Sequence, residues 1–325
     1  CSNRGWRTLV GTDPTVETLD DIELPLPDRR TGKVRISYAL PGGRRLFVTT
    51  DRLSAFDRVI ALVPHKGQVL NQLAAWWFER TGDIVDNHVL DVPDPNVTVA
   101  RSATPLPVEV VVRGHITGVT STSLWRQYAD GLRTIYGHRL PDGLRKNTAL
   151  PEPLITPTTK AVDGAHDEPL SCAEVVERDL VGAELWERVQ EAALAVFERG
   201  RMRAREAGLI LADTKYEFGL ADDGTLLLID EIHTPDSSRY WVADSYEARL
   251  AAGEEPESLD KEVVRRALVD LGWSGDGPSP TLDDEVIAAT SARYVDTFER
   301  LTGARFSPGS TPIRERIATV VEGLR

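Results

Sequence analysis

Apolar positions recur along the chain with two periods. Between residues 31 and 62, "GKVRISYAL", "GRRLFVTT" and "RVIAL" are short runs punctuated by "PGG", which predicts strands and a β-rich N-terminal lobe. "QVLNQLAAWWFERTG" repeats apolar residues at helical spacing and stops at Gly82, so a helix is predicted there, with Trp76 and Trp77 read as core or lobe-interface residues. "PLPVEVVVRGHITG" predicts a strong strand, and the turn at Pro105 and Pro107 before it is read as a hinge between lobes. Residues 183–207 have the spacing of a long amphipathic helix closed by Gly208. Beyond residue 245 the pattern is helical with acidic surfaces, broken at "GDGPSPT". The first 30 residues are polar and acidic, with strand-like content only after Thr31.

One segment breaks its own pattern. "LILADTKYEFGL", residues 209–220, begins as a buried strand and then places Asp213, Lys215 and Glu217 at every second position, so the three charges share one face. The chain turns at "ADDG" and returns as "TLLLIDE". A hairpin centred on Asp222–Asp223 would put Asp230 on that face, opposite Lys215 and diagonal to Glu217. Diagonal neighbours lie roughly 7–8 Å apart, close enough for two carboxylates to flank one divalent ion. A solvated strand would alternate throughout, whereas this one has an apolar lead-in and ends in the acidic pair Asp230–Glu231. Two acids beside a lysine suit Mg²⁺ and a polyphosphate: hard oxygen ligands for the ion, an ammonium for a phosphate oxygen.

Three further stretches carry functional groups. "LITPTTKAVDGAHDEPLS", residues 154–171, is read as a long loop bearing Lys160, His166 and Asp167. "HTPDSSRYW" follows the acidic strand and brings Arg239 next to hydroxyls, a set that suits a phosphomonoester because the guanidinium fork matches phosphate oxygens. Arg113 ends an apolar strand and requires an anion if buried, either a ligand or a structural ion pair. "TGKVR" lacks the full phosphate-loop pattern and has no helix after it, so Lys33 could reach phosphates only from a strand. GxGxxG, CxxC, HExxH and GxSxG are absent, which removes the usual support for dinucleotide redox, zinc and serine-hydrolase chemistry.

Composition narrows the classes. The 325 residues, 41% hydrophobic and 27% charged, suit a globular protein large enough for two lobes. A net charge of −13 without a basic stripe argues against a nucleic-acid partner. No apolar run is long enough to span a bilayer. The two cysteines, Cys1 and Cys172, are too few for a disulfide framework, and a reducing cytoplasm is expected.

Taken together, "GKVR", "TDRLSAFD", "KGQVLNQLAAWWF", "PVEVVVRGHITG", "LPEPLITPTTKA", "HDE", "DTKYEFG" and "DEIHTPDSSRYW" resemble, in order, the blocks of the phosphoribosylaminoimidazole-succinocarboxamide synthase (SAICAR synthetase) family, over about residues 31–305. The resemblance implies an α+β, α/β two-lobed fold: a small β-rich N-terminal lobe (1–105) over a larger α/β lobe (106–325), with ATP in the cleft. It implies an ATP-dependent ligase that joins L-aspartate to the carboxylate of carboxyaminoimidazole ribonucleotide in purine biosynthesis. The partners would be small molecules, with no nucleic acid or membrane, and the protein a monomer or homodimer. By the same resemblance Glu217 and Asp230 are Mg²⁺ ligands, and Lys215 and Lys33 contact the nucleotide. The strand from Leu106 to Val111 lines the adenine pocket, and Asp57 lies near the substrate carboxylate and its ion. Arg113, Ser123 and Arg239 hold the ribonucleotide phosphate, with Ser121 or Thr122 as alternatives to Ser123. Lys160, His166 and Asp167 fall in the aspartate-binding region.

The sequence departs from the family at "GKVRISY", where Ile36 replaces a common acid. That leaves open a paralogue ligating aspartate or another amine to a related heterocyclic carboxylate. A non-catalytic nucleotide-binding protein would be favoured by loss of Glu217, Asp230 or Lys215, and all three are present. A protein kinase is disfavoured by the missing "HRD" and "DFG" signatures.

Overall fold

The computed structural model describes residues 16–56, 58–120, 122–160, 167–273, 275 and 277–324. In chain order its elements are β1 (Arg30–Thr31), β2 (Arg35–Leu40), β3 (Arg44–Thr49), β4 (Arg52–Ala55), β5 (Arg58–Leu62), α1 (Lys66–Thr81), β6 (Val89–Asp94), β7 (Val97–Arg101), β8 (Thr104–His115), α2 (Leu124–Ala129), β9 (Thr134–Ile135), β10 (His138–Arg139) and β11 (Ala149–Thr159). There follow α3 (Cys172–Glu177), α4 (Ala183–Glu206), β12 (Leu209–Leu220), β13 (Leu226–Ile229), β14 (Ser238–Val242), α5 (Ala243–Ala252), α6 (Glu262–Asp270), α7 (Asp284–Thr302) and α8 (Ile313–Glu322).

Two compact units emerge, and both are discontinuous in sequence: residues 1–72, 91–100 and 260–325 form one, residues 73–90 and 101–259 the other. The segment after 259, expected with the larger lobe, therefore groups with the N-terminal strands. In the first unit the sheet runs β1-β2-β3-β7-β6. Its core takes Ile36, Tyr38, Leu46 and Val48 from β2 and β3, Leu19, Ile22 and Leu24 from the acidic leader, and Ile313, Ile317 and Val321 from α8. The leader is thus a core contributor, anchored where Asp51 accepts hydrogen bonds from the Leu19 and Gly67 amides, both at 2.8 Å. Ile36 is fully buried in this core, so the departure from the family pattern is an apolar packing position.

The second unit is built on the sheet β11-β8-β12-β13, with β14 also paired to β12. The long strand β12 is shared along its length: Leu209 to Thr214 pair with β14, Glu217 to Leu220 with β13. On its other side β12 runs antiparallel to β8, and β8 to β11. One face is apolar and packs on α4, whose Trp186, Val189, Val196 and Phe197 are buried. Even-numbered residues Val108, Val110 and Val112 of β8 and Tyr216 and Phe218 of β12 are buried. Alternation then sends the odd-numbered charges to the opposite face. Residues 154–159, read from sequence as loop, are the second half of β11, where Pro157 stands opposite Val110 of β8 and its carbonyl accepts from the Leu170 amide at 2.9 Å.

Candidate active site

The polar face of the second sheet carries two clusters along β12. At one end Asp213 stands in register with Arg113 of β8 and Arg239 of β14. Its carboxylate is ion-paired with Arg239 and lies 3.8 Å from Arg113 Nη1. Arg113 Nε also donates to Thr156 Oγ1 at 2.8 Å, and its guanidinium carbon sits 5.9 Å from the Tyr136 ring centroid. All three charged side chains are close to 90% buried. Two guanidiniums beside one carboxylate present the forked donors that match a phosphomonoester.

At the other end Glu217 faces Glu109 directly across the β12–β8 ladder. Lys215 Nζ bridges them, at 2.7 Å from Glu109 and 2.8 Å from Glu217. The second Glu217 oxygen is ion-paired with Lys160, just past the end of β11. Burial favours the neutral Lys215 amine, but Glu217, Glu109 and Asp230 outweigh it and raise its pKa. Burial likewise favours a protonated Glu217, yet Lys215 and Lys160 hold its pKa down to about 2. Burial raises Glu109, against Lys215, with Glu217 and Asp167 adding to the rise.

Asp230 reaches this cluster by a route different from the one expected. The hairpin loop is Ala221–Thr225, closed by Leu220 opposite Leu226 and by the Ala221 amide on the Thr225 carbonyl at 3.0 Å. It has an odd number of residues and is centred on Asp223, so the register is one residue off: Glu217 faces Ile229, and Asp230 would fall opposite Tyr216 on the apolar face. The strand instead ends at Ile229, and Asp230 takes a left-handed conformation with φ 70°. From there its charge acts on Lys215. The next residues close a compact turn in which Thr234 Oγ1 donates to Glu231 at 2.8 Å and the Ser237 carbonyl accepts from the Lys215 amide at 2.9 Å. That turn delivers Arg239 to the first cluster.

The sequence model of the SAICAR synthetase family matches residues 28–280. The chain belongs to that family. It is 48% identical over 304 residues to the phosphoribosylaminoimidazole-succinocarboxamide synthase of Legionella pneumophila, covering 92% of this chain and 96% of the relative. It is 54% identical over 240 residues to the chloroplastic enzyme of Vigna aconitifolia, covering 74% and 70%. Among solved structures it is similar to a Saccharomyces cerevisiae SAICAR synthase complexed with SAICAR, at 33% identity and a TM-score of 0.78 over 90% of this chain and all of the other. Both the two-lobed α+β fold and the ligation step in purine biosynthesis expected from sequence thus stand.

Within this family member the expected site residues are distributed as follows. Lys215, Glu217 and Lys160 meet at one cluster, where the charge of Asp230 acts on Lys215 and that of Asp167 on Glu109. Arg113 and Arg239 meet at the other. Ser123 is buried at the start of α2, its Oγ donating to the Thr120 carbonyl at 2.6 Å. Tyr136, beside Arg113, donates to the Thr122 carbonyl at 2.7 Å and so ties that loop to the arginine cluster. Val111 is half-buried on the polar face, whereas Leu106 is buried beyond a register shift in the β12–β8 pairing. Lys33 lies exposed in the turn between β1 and β2, in the other unit, and not on a strand. Asp57, Ser121 and His166 lie outside the described residues. Glu109 was missed by the sequence reading, although a single acid inside "PVEVVV" is the signal that would have found it.

A magnesium ion fits the second cluster by its donor chemistry. Glu217, Glu109 and Asp230 supply hard carboxylate oxygens with no thiol or imidazole among them. Among the described residues no group of three or more His, Cys, Asp or Glu is disposed to hold a metal by itself. Mg²⁺ is characteristically held by one or two carboxylates together with substrate phosphates, so an ion here would need the nucleotide to complete its ligand set. Among the described residues no helix is long and apolar enough to cross a membrane.

Proposed function

We propose that this chain ligates L-aspartate to the carboxylate of carboxyaminoimidazole ribonucleotide with cleavage of ATP, through an acyl phosphate, releasing succinocarboxamide, ADP and phosphate. The observation that carries the reading is one sheet face with two clusters in line: a buried arginine pair at Asp213 and a lysine–carboxylate quartet at Glu217. Four residue steps along the strand separate Asp213 from Glu217, roughly 13 Å at about 3.3 Å per residue. That is long enough for one ribonucleotide to anchor its phosphate at the arginines while its reacting end lies by the lysines.

In this reading Arg113 and Arg239, with Ser123 or in its place Ser121 or Thr122, bind the ribonucleotide phosphate. Lys215 and Lys33 contact the polyphosphate, Leu106 and Val111 line the adenine pocket, and Lys160, His166 and Asp167 take aspartate. Glu217 and Asp230 would hold Mg²⁺, with Asp57 near the substrate carboxylate. The ion, when bound, supplies charge neutralisation of the transferring phosphoryl group. The lysines act in the same sense: Lys215 leaves its carboxylate partners for a phosphate oxygen. Because phosphoryl transfer depends on positioning and electrostatics, the site requires no nucleophilic side chain. The protein acts on small molecules, as a monomer or homodimer, in the cytoplasm.

The test is to incubate the protein with ATP, Mg²⁺, L-aspartate and carboxyaminoimidazole ribonucleotide, following ADP release and product mass. Stoichiometric ADP and succinocarboxamide support the reading. ATP bound with no such product overturns it in favour of a related heterocyclic carboxylate or another amine.

A further inference from the structure

Between β9 and β10 the chain reverses on Tyr136 and Gly137, with Ile135 in register with His138. Both turn residues have positive φ, 53° and 80°, the pattern of a type I′ hairpin turn, whose first position usually holds asparagine, aspartate or glycine. A bulky aromatic is an outlier there. Two contacts fix the turn from other segments: His138 Nε2 is hydrogen-bonded to the Ile155 carbonyl of β11 at 2.7 Å, and a Cβ on Gly137 would stand 2.9 Å from Ser171 Cβ. The Tyr136 ring packs in the buried cluster of Ile116, Leu124 and Ile135, a place that phenylalanine would fill equally well.

The hydroxyl has a use of its own. It donates to the Thr122 carbonyl at 2.7 Å, one residue before Ser123, while the Arg113 guanidinium carbon lies 5.9 Å from the centroid of the same ring, within cation–π range. Burial raises the pKa of the phenol, so it keeps the proton it donates. The turn it holds is tight: the amide and hydroxyl of Ser123 both donate to the Thr120 carbonyl, at 3.0 and 2.6 Å, and a Cβ on Gly118 would come within 2.4 Å of Ser123 Cβ. Gln127, on the helix that starts at Ser123, also acts on the Tyr136 hydroxyl, and its buried Nε2 has no hydrogen-bond partner among the described residues, a donor that an arriving oxygen would satisfy. We propose that Tyr136 is a positioning residue of the phosphate site: through its hydroxyl it holds the Thr122–Ser123 turn beside the Arg113 guanidinium and so sets the affinity for a phosphomonoester. This rests on the reading above, in which Arg113 and that turn bind the ribonucleotide phosphate.

The test is calorimetric binding of ribose 5-phosphate and, separately, of ADP, neither of which involves turnover. Tyr136→Phe removes one hydroxyl and keeps the ring with its packing; Arg239→Lys is the reference variant for the phosphate site itself. Tyr136→Phe is expected to weaken ribose 5-phosphate about fivefold, the loss of one hydrogen bond, with ADP affinity unchanged. The same factor should appear in KM for the ribonucleotide, with kcat unchanged. A merely structural role would lower the melting temperature and either spare both ligands or weaken both alike, and either result overturns the proposal. If Arg239→Lys weakens ribose 5-phosphate about tenfold while Tyr136→Phe binds it as the wild type does, the positioning role is overturned and the phosphate reading stands. If Arg239→Lys also binds it as the wild type does, the phosphate reading falls, and this inference with it.

Discussion

Replacing Asp213 by Asn would expose what the carboxylate does between two buried guanidiniums. The side chain keeps its shape and loses its charge, so Arg113 and Arg239 lose the carboxylate they share. At 3.8 Å the Arg113–Asp213 attraction is about 4 kcal/mol with an effective dielectric of about 20. Arg239 lies closer to the same carboxylate. Part of this offsets the cost of desolvating the charges, and removing one partner of such a buried set typically costs about 3–5 kcal/mol. We therefore expect Asp213→Asn to lower unfolding free energy by about 3–5 kcal/mol in urea, read from the fluorescence of Trp77, Trp186 and Trp241, all buried in the same unit. A phosphomonoester should restore much of the loss, because it supplies the missing anion. A ligand at about one hundred times its Kd adds about 2.7 kcal/mol, and the gain at fixed ribose 5-phosphate should be larger in the variant than in the wild type. A loss below 1 kcal/mol with an unchanged denaturant slope, or equal stabilisation of both proteins by the phosphomonoester, would refute the reasoning.

Other outcomes follow from the same geometry. Asp230→Asn should reduce ADP release at least a hundredfold with melting little changed, and near-normal release would remove Asp230 from the metal site. Arg239→Lys should raise KM for the ribonucleotide about tenfold or more with a smaller effect on kcat, since a lysine cannot make the bidentate contact; steady-state kinetics with varied ribonucleotide checks this. Stability should also fall as pH drops from 7 to 5. His115 and His233 are buried neutral, with pKa pushed down to about 4 and about 3, whereas the unfolded chain takes up their protons near pH 6.5. Each therefore removes up to about 2 kcal/mol by pH 5, and the loss continues towards the folded pKa. Urea midpoints that stay flat from pH 7 to pH 5 would contradict the buried neutral state.

The lines of the site were legible in sequence wherever one strand carried them. Asp213, Lys215 and Glu217 had to share a face because side chains alternate, and the apolar lead-in at Leu209–Leu211 showed that the strand was central. The hairpin return was legible too, but its register was not. Whether "ADDG" turns on two residues or five depends on backbone conformations at Asp223, Gly224 and Thr225 that composition does not determine, and one residue moves Asp230 to the other face.

Local periodicity and residue chemistry by themselves settled the long helix at 183–206, the apolar strand ending at Arg113, the charged face of β12 and, through ordered motifs, the family. These depend on neighbours in the chain, and the chain alone contains them. Tertiary structure alone decided which distant groups meet. It set Glu109 across from Glu217, brought Arg239 to Asp213 and placed Tyr136 beside Arg113 with its hydroxyl on the Thr122 carbonyl. It also recruited the acidic leader and α8 into the N-terminal core. Such pairings follow from strand register and packing between segments tens to hundreds of residues apart, which no local pattern encodes.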